Sequence, residues 1–157
     1  MTAPLIKQLP ISVNGARKTD VRTQFAALCW RLIDGKVQVL LITSRGSGRW
    51  IVPKGWPVDG HTPGEAALTE AWEEAGVVGK VDARPIGLFS YNKAIADEDE
   101  LPCVAMVYPV RVKSLAKTYP EALERKRRWV SRKKAAQLVE EPELAQIIKG
   151  FDPRILR

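Results

Sequence analysis

The sequence predicts an α/β sandwich. Three observations carry that expectation: β-rich apolar runs on both sides of a central segment, a full set of start and stop signals for one helix within that segment, and a second helical pattern near the C-terminus. The polar stretch 1–20 reads as an N-terminal arm and 21–157 as a single domain. A chain of 157 residues with 45% apolar content can build one real core, and nothing in it calls for a second.

The elements follow in order. Phe25 to Ile33 and Val37 to Thr43 are rich in β-branched and apolar residues, and Asp34-Gly35 between them is a hairpin signal. Arg45-Gly46-Ser47-Gly48-Arg49 reads as a loop and Trp50-Ile51-Val52 as a short strand. In the stretch from Gly55 to Val77, GWPVDGHTPGEAALTEAWEEAGV, Thr62 suits an N-cap, Pro63 the first helical position, and Glu65 completes a capping box. Gly76 supplies the left-handed stop. Ala67, Leu68, Ala71, Trp72 and Ala75 gather on one stripe at helical spacing, which places Glu70, Glu73 and Glu74 on the other side. Lys80 to Tyr91 and Cys103 to Val112 read as further strands, with Pro109 marking an edge or a bulge in the second. Between them lies the acidic loop Asp97-Glu98-Asp99-Glu100. A last strand at Arg127 to Val130 leads into a helix over Ser131 to Val139, and Glu143 to Lys149 is a further helical segment stopped by Gly150.

The acids of the central helix pose a physical problem. Glu70, Glu73 and Glu74 stand at i, i+3 and i+4 with no Lys or Arg at that spacing, and like charges so placed destabilise a helix by a few tenths of a kcal/mol per pair. A hard divalent cation such as Mg²⁺, which takes oxygen ligands and shares substrate phosphates, would offset the repulsion. Taken alone, E-x-x-E-E is more often a solvated acidic face. The Gly/Pro-punctuated loop Lys54 to Gly60 entering the helix, and the glycine leaving it, reverse that weighting.

With that context the segment resembles the signature of the Nudix hydrolase family, G-x5-E-x7-R-E-U-x-E-E-x-G-U, where U is apolar. Gly55, Glu70, Ala71, Glu73, Glu74, Gly76 and Val77 match, whereas His61 stands where the family has its first glutamate and Thr69 where it has arginine. The resemblance implies an α/β/α sandwich with a mixed sheet and a loop-helix-loop catalytic motif across most of residues 22–149. It also implies Mg²⁺, or Mn²⁺, held by Glu70, Glu73 and Glu74 with the Gly55 carbonyl. In the family the arginine orients the catalytic glutamates, so Thr69, with its short hydroxyl, is expected to leave them less firmly held. His61 could replace the first glutamate only as a hydrogen-bonding group, with a loop-structuring and a functional role equally open, and is not expected to be a metal ligand. The proton from the attacking water would go to Glu73 or Glu74, or to a carboxylate outside the box, for which Glu98, Asp99 and Glu100 are the candidates.

The basic residues speak to the substrate. Lys54 borders the box, Arg45 and Arg49 flank a glycine-containing loop, and Arg125, Lys126, Arg127 and Arg128 precede Trp129. Arg45, Arg49, Lys54 and Arg127 are the candidate contacts to a polyphosphorylated small molecule. Strand alternation pairs Arg125 with Arg127 and Lys126 with Arg128, so only one pair can face the site. The Pro-Lys-Gly entrance and the basic run before a tryptophan resemble the diphosphoinositol polyphosphate phosphohydrolase branch. That likeness implies a diphosphoinositol polyphosphate or dinucleoside polyphosphate substrate.

Two other functions compete. One is a catalytically weak binding or regulatory module, motivated by Thr69 and His61. The third-ranked is nucleic-acid binding, motivated by a net charge of +7 and a pI near 9.6. Against it, Trp72 faces the predicted core and no nucleic-acid motif surrounds the other tryptophans. Residues 1–20 hold no apolar run long enough for a signal peptide and no segment approaches a membrane-spanning length, so the expected location is cytoplasmic, with no membrane partner. Cys29 and Cys103 lie in apolar strand-like runs and are expected to be buried, reduced thiols.

Overall fold

A computed structural model describes residues 21–94 and 100–156. In chain order its elements are β1 (Arg22–Ile33), β2 (Lys36–Thr43), β3 (Trp50–Ile51), β4 (Lys54–Gly55), α1 (Pro63–Ala75), β5 (Val77–Val81), β6 (Gly87–Ala94), β7 (Glu100–Leu115), β8 (Arg127–Ser131), α2 (Arg132–Leu138) and α3 (Pro142–Gly150). The strands form one mixed sheet running β3-β2-β1-β7-β5, with β4 beside β1, β6 beside β7 and β8 beside β2. Its centre is the parallel pair β1 and β7, in register from Arg22 opposite Cys103 to Trp30 opposite Arg111. The other pairings are antiparallel. Asp34 and Gly35 both take positive φ, 52° and 76°, as the two-residue turn between β1 and β2 requires.

Alternation along the central strands builds two apolar layers. On one face Ala67, Ala71 and Ala75 of α1 pack with Cys29, Leu40 and Val110. On the other, Leu144, Ile147 and Ile148 of α3 pack with Leu28, Val39 and Phe89. The molecule is thus an α/β/α sandwich with a mixed sheet. Cys29 and Cys103 are buried and free.

Four expectations need correction. The run Lys80 to Tyr91 is not one strand but the end of β5 and the start of β6, separated at Asp82–Ile86. Asp82 Oδ1 accepts from the Arg84 amide at 2.9 Å, a local turn, and Pro85 has no donor with which to continue a ladder. Pro109 lies on an interior strand rather than an edge. It stands where the neighbour of β7 changes from β6 to β5, between Gly87 opposite Val107 and Val81 opposite Val110, so its missing N–H removes no ladder bond. Trp72 is not core: it is 38% exposed, and Glu74 is 6% exposed. The buried residues of α1 are Gly64, Ala66, Ala67, Ala71, Glu74 and Ala75, and the glycine and alanines among them bring the helix close to the sheet and turn the Trp72 side outward. Finally, Gly150, expected as the stop after Lys149, is itself the last residue of α3, so the helix runs one residue further and the chain leaves in extended conformation at Phe151.

Candidate active site

The position of α1 is set at both ends. Thr62 Oγ1 accepts from the Glu65 amide at 3.2 Å while Glu65 Oε1 accepts from the Thr62 amide at 2.8 Å, a reciprocal cap. Gly76, at φ 68°, closes the other end. There the Ala116 amide donates to the Gly76 carbonyl at 2.8 Å and the Glu121 amide to the Glu73 carbonyl at 3.0 Å, so the 116–127 segment straps the last turn.

Glu70 and Glu74, one turn apart, point the same way and share a hydrogen bond. Above them lies β4. A Cβ built on Gly55 would overlap the Glu70 carboxyl group, with Oε2 at 2.6 Å, so only glycine lets the strand and the carboxyl approach this closely. The Lys54 amide donates to Glu74 Oε1 at 3.4 Å, and Arg125 Nη2 stands 3.8 Å from the same oxygen. Burial, then the charge of Glu74, pushes Glu70 up to about 8. Burial raises Glu74 as well, with Arg125 and Lys54 opposing. A carboxyl pair crowded enough for one member to retain a proton, under a glycine backbone, is a donor set that fits a hard divalent cation. Glu73 is half-buried, and among the described residues no group of three or more His, Cys, Asp or Glu side chains stands placed to hold a metal ion.

Beside this pair opens a cleft of about 360 Å³, lined by Arg45, Arg49, Lys54, Glu74, Lys93 and Arg125 among others. Arg49 donates to Glu141 at 2.8 Å and stands 3.4 Å from Glu140, while Arg45 pairs with Glu124 at 3.1 Å. These acids hold the guanidinium groups in place at the cleft wall. Lys54 Nζ lies 4.8 Å above the Tyr91 ring, and burial lowers its pKa to about 8. Larger depressions beside Trp30 and between α2 and α3 contain no box carboxylate.

Three of the four expected substrate contacts, Arg45, Arg49 and Lys54, therefore meet at one cleft. Arg127 does not. Its Nη1 donates to the Ala75 carbonyl at 2.8 Å and its guanidinium lies 4.9 Å from the Tyr119 ring, so it satisfies the carbonyl end of α1 where a cation is favoured. Alternation gives only part of the expected pairing: Lys126 and Arg128 are exposed and Arg125 and Arg127 half-buried, but only Arg125 reaches the cleft, while Arg127 turns to the end of α1. Lys93 and Tyr91 are cleft residues that the sequence did not single out, and Arg125 was visible there only through the alternating pair with Arg127.

His61 is exposed, with Nδ1 3.2 Å from the Asp59 carbonyl, a loop contact. Thr69 Oγ1 donates to the Glu65 carbonyl at 3.0 Å, back along its own helix. Of the proposed bases outside the box, Glu98 and Asp99 lie outside the described residues, and Glu100 is exposed at the start of β7. Among the described residues no helix is long and apolar enough to cross a membrane.

Comparison with known proteins places this geometry in context. The family model for the NUDIX domain matches residues 22–151. Nudix hydrolase 12, mitochondrial, of Arabidopsis thaliana is 32% identical over 119 residues, covering 74% of this chain and 59% of its own length. Human diphosphoinositol polyphosphate phosphohydrolase 3-alpha is 35% identical over 106 residues, covering 66% of this chain and 60% of its own. The chain thus spans about three fifths of either relative. Among solved structures, the NUDIX domain of Shewanella oneidensis NrtR complexed with ADP ribose superposes with a TM-score of 0.62 at 18% identity, covering 90% of this chain and 94% of that one.

Proposed function

Because the chain belongs to the Nudix family, we propose that its cleft hydrolyses a phosphoanhydride bond in a nucleoside or inositol polyphosphate, in the diphosphoinositol polyphosphate or dinucleoside polyphosphate class. One observation carries the reading: the paired carboxyls of Glu70 and Glu74 meet, at Lys54, a cleft walled by five cationic side chains, Arg45, Arg49, Lys54, Lys93 and Arg125.

Of these, Arg45, Arg49 and Lys54 are the groups that attract and orient a polyanion. Arg45 and Arg49 present guanidinium forks already aligned by their glutamate partners, and Lys54 adds a compact charge next to the reacting end. Glu70 and Glu74, with Glu73 from the same helix and the Gly55 carbonyl, are the residues that would hold Mg²⁺ or Mn²⁺. When bound, the ion neutralises phosphate charge and acidifies water. Glu73 or Glu74 takes the proton released by the attacking water. Burial of the pair beneath β4 strengthens each of these electrostatic contributions.

A panel of Mg²⁺-dependent hydrolysis assays, spanning diphosphoinositol phosphates, dinucleoside polyphosphates, nucleoside diphosphate sugars and capped RNA, tests the reading. The first two classes are expected to be turned over fastest. Thr69, bonded back to Glu65, favours one competing reading, a binding module of weak activity. Tight binding of these ligands without any Mg²⁺-dependent phosphate release would establish it instead.

A further inference from the structure

Resting on that reading of the cleft, we propose that Arg125 is a positioning residue that fixes the carboxylate of Glu74, although the two are remote in sequence. The guanidinium is held on three edges. Nε donates to Glu121 Oε1 at 3.0 Å, Nη1 to the Thr43 carbonyl at 3.1 Å, and Nη2 faces Glu74 Oε1 at 3.8 Å. Two anchors on a planar group determine where its third edge points. Both side chains of the pair are nearly sealed from water, 7% and 8% exposed, so the interaction is weakly screened.

The anchors belong to the elements that define the site. Glu121 sits on the strap whose amide binds the Glu73 carbonyl at 3.0 Å, and Thr43 ends β2. The Lys126 amide also donates to Thr43 Oγ1 at 2.8 Å, which locks the residue next to Arg125 to the same point. Arg125 therefore measures the distance between the last turn of α1 and the sheet, and reports it to Glu74. From the other side the Lys54 amide holds the same oxygen at 3.4 Å. At 3.8 Å Arg125 steers the carboxylate by charge while leaving its lone pairs for a cation or a proton. Within the box helix Thr69 contributes no such hold, because its hydroxyl is spent on Glu65.

Because Arg125 also lines the cleft, a direct substrate contact is the competing role, and kinetics separate the two. Misplacing a reacting group costs on the order of 100-fold in rate, so Arg125→Ala is expected to lower kcat by about 30-fold or more and change KM by less than about threefold. Arg125→Lys, with charge but no fork, should recover about a third of that loss on a logarithmic scale. A second readout needs no turnover: the Lys54 amide resonance should move in the metal-free, substrate-free variants, because its acceptor has moved. Glu121→Gln leaves that anchor only a neutral hydrogen bond in place of a charged one, so it should give a smaller kcat loss and the same direction of amide shift. Should the wild type release no phosphate from any substrate, the hydrolase reading fails and the Lys54 amide still judges Arg125. An unmoved Lys54 amide, or a raised KM with kcat intact, would overturn the proposal.

Discussion

Burial and the charge of Glu74 hold Glu70 at a pKa of about 8 against an ordinary 4.5, so between those values the folded chain keeps a proton that the unfolded chain has lost. More protons bound in the folded state means that stability falls as pH rises through this window. Glu74, shifted in the same direction, adds to the slope. Lys54 acts in the opposite sense over a separate window: depressed from 10.5 to about 8, it sheds its proton first in the folded state, so its contribution to stability rises between about 8 and 10.5. Thermal melts of the metal-free protein are expected to show the acidic-limb decline in wild type and a flatter limb in Glu70→Gln. Added Mg²⁺ should flatten it too, since it favours the ionised carboxylates. A wild-type Tm that rises from pH 5 to 8 relative to Glu70→Gln would contradict the assignment. At this scale the box acids were legible because fixed spacing on one helix brings Glu70 and Glu74 together. Arg125 was not, because its approach to Glu74 depends on a strap and a strand that no local pattern encodes.

The capped helix α1 and the glycine strand β4 separate stability from activity. Thr62→Ala removes one half of the reciprocal cap and should cost about 1 kcal/mol, measured by urea unfolding, while turnover is kept because Glu74 lies at the far end of the helix. Gly55→Ala should do the reverse. Its Cβ would displace the Glu70 carboxyl, so kcat should drop at least about tenfold with a Tm close to that of wild type. Equal activity in Gly55→Ala and wild type would mean that the Glu70 carboxyl relocates without consequence. Caps, the Asp34-Gly35 hairpin and the strand before α2 were readable, since each is a local device with its own residues. The division between β5 and β6 is marked locally by Asp82 and Pro85, but two strands lying end to end against β7 read as one continuous β-rich run. The inward face of α1 was misjudged for a related reason: alanines fix how closely the helix packs, and that decided the side on which Trp72 emerges.

Over the whole molecule, the parallel pair at the sheet centre places α1 on one face and α2 with α3 on the other, and the cleft opens where the β2–β3 loop, β4 and the strap converge on α1. The order of elements was legible, and with it the sandwich. The cleft was not, since its walls come from segments distant in the chain. The +7 charge therefore divides into two populations. Alanine at Arg49 or Lys54 should raise KM several-fold on the most highly charged substrates, an effect that shrinks as salt rises, whereas alanine at exposed Lys126 or Arg128 should leave KM unchanged. Equal, substrate-independent effects at all four would return the basic residues to the role of solvated surface. The central claim is that the Glu70–Glu74 pair makes this cleft a divalent-metal-dependent hydrolase of phosphoanhydrides. Its most direct test is the initial rate of phosphate release from the best substrate of the panel, with and without Mg²⁺, for wild type, Glu70→Gln and Glu74→Gln. Wild-type turnover should require the metal, and each variant, folded by its melt, should lose on the order of 100-fold or more in kcat. Metal-independent turnover, or variants as fast as wild type, would contradict it.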